Sequence, residues 1–252
     1  MAGALPFAGI DGCRGGWVIA RWDGADHLQL YRRARMEELF DEADAPVAAA
    51  MDMPIGLPDT SETGGRAAER AVRPLLGMRQ SSVFSVPARA AVMAGVGAGD
   101  ESVRFAAACA AALANSHPPR KVSKQCFHLF PKMAELDELL RRRPELQARL
   151  VECPPEVSFA VMNGGPLVDA KKVKSRPHPP GIAYRIALLA RAGVPAGLLT
   201  KKTALSLRAG LDDLVDACAC VVTAKRLAEG RALRFPDPPG RDAFGLPVAI
   251  TA

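Results

Sequence analysis

Four carboxylates in this chain fall where a metal site is built rather than where solvent claims an acid. Asp11 closes an apolar run over 5–11 and precedes Gly12, and Asp52 closes a second apolar run over 46–52, between Met51 and Met53. Asp213 and Asp216 are three apart, on one helix face, beside Asp212. That helix is otherwise small and apolar on its packing side, with Ala217, Cys220, Val221 and Ala224. Acids crowded at buried strand ends repel one another unless they are protonated or bound to cations. Two hard cations ~4 Å apart, bridged by such carboxylates, serve in-line phosphoryl displacement, one orienting the attacking water and the other stabilising the leaving oxygen. Taken singly, each acid also has an ordinary structural role. Asp11 suits a turn before glycine, Asp52 suits a strand end, and Asp212 or Asp213 suits the first turn of a helix, where the dipole favours an anion.

The elements that must position these acids follow from the hydrophobic pattern. Residues 5–11, 17–22 and 27–31 read as strands joined by short turns, an antiparallel meander. Residues 36–42 form a short helix candidate, and 46–52 read as a central strand buried on both faces. Pro54 and Pro58, with Gly56 between, stop that strand. The next block turns helical, through 62–76, the Ala-rich 101–115, and 132–143, where Met133, Leu136, Leu139 and Leu140 keep helical spacing until Pro144. A fifth strand is predicted over 150–153, and Pro154, Pro155 and Glu156 open a helix reaching Met162. Residues 182–192 and 211–229 are the last two helices, stopped by Gly193 and Gly230, and the tail from Phe235 is rich in Pro and Gly. The prediction is one α/β domain over 1–252, a mixed five-stranded sheet with flanking helices and a largely helical insertion at 54–149.

Composition narrows the function classes. An apolar fraction of 49% over 252 residues excludes wholesale disorder. Lys and Arg outnumber Asp and Glu by 33 to 27, a net charge of +6, which leans toward an anionic partner. The cations fall in four clusters: Arg32, Arg33 and Arg35; Arg120, Lys121 and Lys124; Arg141 to Arg143; and Lys171, Lys172, Lys174 and Arg176. Such runs are most often solvated faces, and four of them also fit a binder of phosphate backbones. The six cysteines form no CxxC and no Cys/His zinc spacing, and His117, His128 and His178 suggest no metal cage. The first residues carry no basic run of a signal peptide, and the longest apolar stretch, 105–114, is far short of the ~20 residues a membrane span needs. A cytoplasmic protein with reduced thiols and no membrane association is the expectation.

The residues Ala8-Gly9-Ile10-Asp11-Gly12, with Gly15-Gly16-Trp17, resemble the first hairpin of RNase H-like nucleases. Asp213-Leu214-Val215-Asp216-Ala217 resembles the final-helix acidic pair of the Holliday-junction resolvase branch. Over almost its full length the chain resembles a family of predicted RNase H-like nucleases known as domain of unknown function four-two-nine. The matching segments begin with Gly9-Ile-Asp-Gly, Gly16-Trp17 and Met51-Asp52-Met-Pro-Ile-Gly-Leu-Pro58. They continue with Ser81-Ser-Val-Phe84, Ser123-Lys-Gln125, Pro155-Glu156-Val-Ser-Phe159 and Asp212-Asp-Leu-Val-Asp-Ala217.

The resemblance implies an RNase H-like fold and a nuclease cleaving phosphodiesters with Mg²⁺ or Mn²⁺. Asp11 takes the first-strand ligand position, Asp52 the fourth-strand carboxylate (usually Glu in the resolvases), and Asp213 and Asp216 close the site from the last helix. Glu156 follows the fifth strand, where the resolvases require no acid. A further ligand, a general base and a capping carboxylate are the alternatives for it, and of Glu156 and the competing Glu152 on the strand itself, Glu156 is preferred. Arg79, Lys124, Gln125, Lys171 and Lys172 are candidate phosphate contacts, with surface salt bridges as the equal alternative. DNA or RNA is the implied partner. A homodimer follows by analogy with resolvases acting on two-fold substrates, and no segment reads as its interface. Two other classes share these features: an ATP-binding phosphotransferase on the same fold, although no Gly-x-x-x-x-Gly-Lys-Ser/Thr loop is present, and a non-catalytic nucleic-acid-binding module.

Overall fold

The computed structural model describes residues 6–173 and 176–252; Leu5, at the head of the first predicted strand, and Lys174, in the fourth basic cluster, lie outside the described residues. The expected meander forms. β1 (Phe7–Cys13), β2 (Gly16–Trp22) and β3 (Leu28–Arg33) pair antiparallel, with Asp11 opposite Val18 and Ile19 opposite Tyr31. After a short α1 (Glu37–Asp41), β4 (Ala48–Met51) runs parallel to β1 with all of its residues buried, as a strand covered on both faces should be.

The block 54–149 is mostly helical. It contains β5 (Ser61–Glu62), α2 (Ala67–Val72), α3 (Arg89–Ala94), α4 (Glu101–Ala114), β6 (Ser116–His117), which pairs with β5, α5 (Lys124–Phe127) and α6 (Phe130–Arg142). α2 fills only the middle of the predicted 62–76 segment, because Pro74 turns the chain into 3₁₀ turns over Arg73–Ser82. β7 (Leu150–Glu152) returns to the sheet parallel to β4. It is followed by α7 (Pro155–Asn163), the hairpin β8 (Lys172–Val173) and β9 (Arg176–Pro177), α8 (Pro179–Arg191), α9 (Lys201–Ser206) and α10 (Leu211–Ala228).

Among the described residues the main sheet has seven strands, not five, in the order β10-β11-β7-β4-β1-β2-β3. The two extra strands are β10 (Arg234–Arg241) and β11 (Pro247–Thr251), drawn from the Pro- and Gly-rich tail. Pro236, Pro238 and Pro239 cannot donate to a ladder, so β10 is tolerated only as the outermost strand, and its register slips between Phe235 and Gly240. β11 docks parallel on β7, Ile250 beside Glu152.

Helices cover both faces, and the two-residue period of β1 assigns side chains to each. Ala8 and Ile10 join Met51 and Trp17 in a cluster with Phe130, Met133, Leu136 and Leu140 of α6. Gly9 and Asp11 point the other way, toward α10. α10 is buried without interruption from Leu214 to Ala224 and lies directly on the sheet. A Cβ on Gly9 would stand 1.9 Å from the Ala217 carbonyl oxygen and 2.2 Å from the Val221 nitrogen, so the crossing is backbone against backbone and only glycine permits it. Among the described residues, no helix is long and apolar enough to cross a membrane.

Candidate active site

The Gly9 crossing brings Asp216 of α10 beside Asp11 of β1. Asp52, one residue beyond β4, has the parity of Ala48 and Ala50, which pack with Cys220 and Ala224 on the α10 face, and its N–H donates to the Ile10 carbonyl at 3.0 Å. The three carboxylates therefore converge from two parallel strands and one helix. Asp11 and Asp216 are buried and Asp52 is half-buried. Burial, then the charges of Asp52, Asp216 and Asp213, pushes the Asp11 carboxyl well above the usual range. Burial and the Asp216 charge raise Asp52 to about 7. Burial also raises Asp216 against the pull of the Lys171 ammonium.

Hydrogen bonding at these acids is sparse. Asp11 Oδ1 accepts the Gly12 N–H at 2.8 Å, and Asp216 Oδ2 accepts from Lys171. Among the described residues, Asp216 Oδ1 is buried with no partner. Lys171 reaches the cluster because its loop is pinned to α8, where a Cβ on Gly181 would meet the Ala170 carbonyl oxygen at 1.9 Å. Burial works against the Lys171 charge, but Asp216, Asp52 and Asp11 outweigh it and hold its pKa above the ordinary lysine value.

The remaining predicted residues separate into those at the cluster and those tied elsewhere. Asp213 is half-buried at the rim, its Oδ2 accepting the Gly210 N–H at 2.8 Å, and burial raises its pKa. Asp212 pairs with Lys172 at 2.6 Å. Glu156 reaches the cleft wall, with both oxygens held at 2.8 Å by the buried Arg185. Glu152 is register partner to Met51 and so faces the α6 side of the sheet, away from Asp11. There it takes Arg66 at 2.7 and 2.9 Å and the Ile55 N–H at 2.8 Å. Lys124 is drawn to Glu101 at 2.7 Å and to the Phe105 ring, and Arg79 donates to the Val168 carbonyl at 2.9 Å. Gln125, Lys171 and Lys172 line one cleft of 380 Å³ with Asp52, Glu156, Ser82 and Ser123.

The family model described as protein of unknown function, DUF429, matches residues 9–241. The chain belongs to this family. No curated protein and no solved structure matches it. The DUF429 match takes in Gly9, the whole carboxylate cluster, Lys171 and the Pro-rich edge strand β10.

Sequence reasoning missed three features of this DUF429 site. Arg185 and Arg66 are buried counter-charges; the signal for Arg185 was a cation inside the apolar helical pattern of Ile182, Leu188 and Leu189. Phe84 and the serines near it line the cleft, and Ser81-Ser-Val-Phe84 stood out only as a matching segment. Lys132 leans over the β1–β2 hairpin, its ammonium 2.6 Å from the Gly16 carbonyl oxygen and 4.4 Å from the Trp17 ring.

Among the described residues, no three His, Cys, Asp or Glu side chains stand close enough to hold one metal ion. The donors at the cluster are nevertheless all carboxylate oxygens, one of them buried and unpaired, which is the chemistry a hard divalent cation takes. The donor type fits Mg²⁺ or Mn²⁺; the carboxylates would have to draw closer around an ion, and Lys171 on Asp216 occupies part of that space.

Proposed function

We propose that this protein is a divalent-metal-dependent nuclease of RNase H-like architecture, hydrolysing nucleic-acid phosphodiester bonds. The observation that carries the proposal is the convergence of Asp11, Asp52 and Asp216 beside a cleft walled by lysines, serines and an amide. The β3-β2-β1-β4-β7 portion of the sheet, antiparallel on one side of β1 and parallel on the other, supports the architecture. Asp11, Asp52 and Asp216 would hold the metal, with Asp213 at the rim. A divalent ion held there would supply Lewis-acid stabilisation of the charge on the phosphoryl oxygens. Lys171 lines the cleft as well as meeting Asp216, which places its ammonium to donate to a phosphate oxygen there, and Lys172 lines the same cleft. Ser81, Ser82, Ser123 and Gln125 supply neutral donors that orient the strand. Glu156 is bound on both oxygens by Arg185, so its part is to hold the cleft wall.

The test is a cleavage assay with Mg²⁺ and with Mn²⁺ on labelled single-stranded, duplex and branched DNA and RNA, native chain beside Asp11→Asn. Cleavage that disappears in the variant, with an unchanged circular dichroism spectrum, is the expected result. Cleavage retained by Asp11→Asn, or none by the native chain on any substrate, overturns the proposal. The Lys171–Asp216 contact favours one other reading, a nucleic-acid-binding module whose acids are compensated without metal. That module shows salt-dependent binding without turnover.

A further inference from the structure

A second cavity, of 160 Å³, adjoins the cleft of 380 Å³, and Phe84, Ser123 and Cys126 line both. Taken together as one groove, their linings run from Asp52 and Lys171, past Phe84, to His117, Arg120 and Lys121.

Each stretch of the groove offers something different. Arg120 and Lys121 are exposed, and among the described residues neither pairs with an acid, whereas Lys124 of the same basic cluster is taken by Glu101. Glu62, the acid at that end, stands 3.6 Å from Arg70. Phe84 is 36% exposed, while Val83 and Val86 on either side are 5% and 1% exposed and anchored in the two cores. The ring is thus presented from a backbone held at both flanks, and among the described residues no other ring packs on it. Ser81, Ser82, Ser85 and Ser123 surround it with hydroxyls.

Unpaired cations in line with a fixed, solvent-facing aromatic ring and a row of hydroxyls match the chemistry of a nucleic-acid strand with an unstacked base. We infer that this groove is the track of a single strand, with Phe84 as the platform for one base and Arg120 and Lys121 as contacts for the backbone leading away from the carboxylates. The inference rests on the nuclease reading for its direction and deepens it by naming the substrate class. A duplex offers a base to Phe84 only after unpairing and unstacking it, a cost that a single strand does not bear.

The test is fluorescence anisotropy on the full chain in EDTA, so that binding is read without cleavage. The probes are a labelled single strand of about 12 nucleotides, as DNA and as RNA, and the corresponding duplex. Phe84→Ala should weaken single-strand binding by about tenfold or more while Phe84→Trp retains it. Arg120→Glu with Lys121→Glu should weaken binding and flatten its salt dependence by about one phosphate contact or more. Lys201→Glu with Lys202→Glu, the same charge change on exposed α9, should do neither. The inference is overturned if the native chain binds no single strand, or if a natively melting Phe84→Ala binds as the native chain does. Equal losses for strand and duplex, or for the α9 control, overturn it as well. The two proposals fail separately. Phe84-dependent binding with no cleavage in any metal leaves the groove and removes the nuclease, and cleavage by a chain indifferent to Phe84 does the reverse.

Discussion

The molecule buries carboxylates in two ways. On the wall of the cleft and across the sheet, Glu156 and Glu152 each receive a guanidinium on both oxygens, and Arg66 also reaches Glu69 and the carbonyls of Ile55 and Gly56. At the cluster, among the described residues, three aspartates share the Lys171 ammonium, and the buried Oδ1 of Asp216 is left without a partner. Buried charge with matched donors is architecture, because removing one partner strands the other in a medium that does not solvate it. Buried charge of one sign, under-supplied with donors, favours any ligand that brings positive charge. Glu152 and Glu156 are acids whose charge the fold matches; Asp11, Asp52 and Asp216 are acids whose charge it leaves in excess.

Breaking each set should give opposite results. Asp11→Asn should lower metal-dependent cleavage on the order of 10³-fold or more while leaving the metal-free melting temperature unchanged or raised, since a crowded like charge is removed and no ion pair is broken. Arg185→Met should do the converse on stability, costing about 3–5 kcal/mol because Glu156 stays buried without its partner; urea denaturation measures it. A cluster variant that unfolds, or an Arg185→Met chain as stable as native, breaks the distinction.

The pH dependence sharpens it. Asp52 and Glu152 both sit at about 7 in the folded chain, above ordinary values of 3.8 and 4.5, in each case chiefly through burial. Between those values the folded state holds protons that the unfolded state has released. Their contribution to stability is therefore full below about pH 4 and is lost as the pH rises through about 7. Asp52→Asn and Glu152→Gln should each flatten that decline in denaturation curves taken across the window. At pH 8, saturating Mn²⁺ should recover the loss due to Asp52 and leave that due to Glu152, because only Asp52 belongs to the cluster. The smallest effect is expected at the rim, where Lys172→Ala breaks an ion pair with a half-exposed lysine and should change stability by less than about 1 kcal/mol.

Much of this was legible in the residues. The alternation of β1, β2 and β3, the buried run of β4 and the spacing of α6 are local patterns, and the elements formed where the patterns lay. The edge strand β10 was not legible, since three prolines argue against a strand until a partner and an open outer edge are known to exist. Among the acids, Asp11, Asp52 and Asp216 were visible as carboxylates ending apolar runs or lying on an apolar helix. The choice between Glu152 and Glu156 was open for a physical reason: each has an arginine more than 25 residues away, and no local pattern shows which buried cation meets which acid.

The sequence by itself determined the period of β1, β4 and α10, and with it which side of each its carboxylates occupy, because side-chain direction is a local property of the backbone. The tertiary structure decided which of those carboxylates share charge. Gly9 lets α10 sit against β1 and sets Asp216 beside Asp11, and Gly181 pins the loop that delivers Lys171. Those contacts depend on how closely two backbones approach, and that distance is settled only when the layers pack.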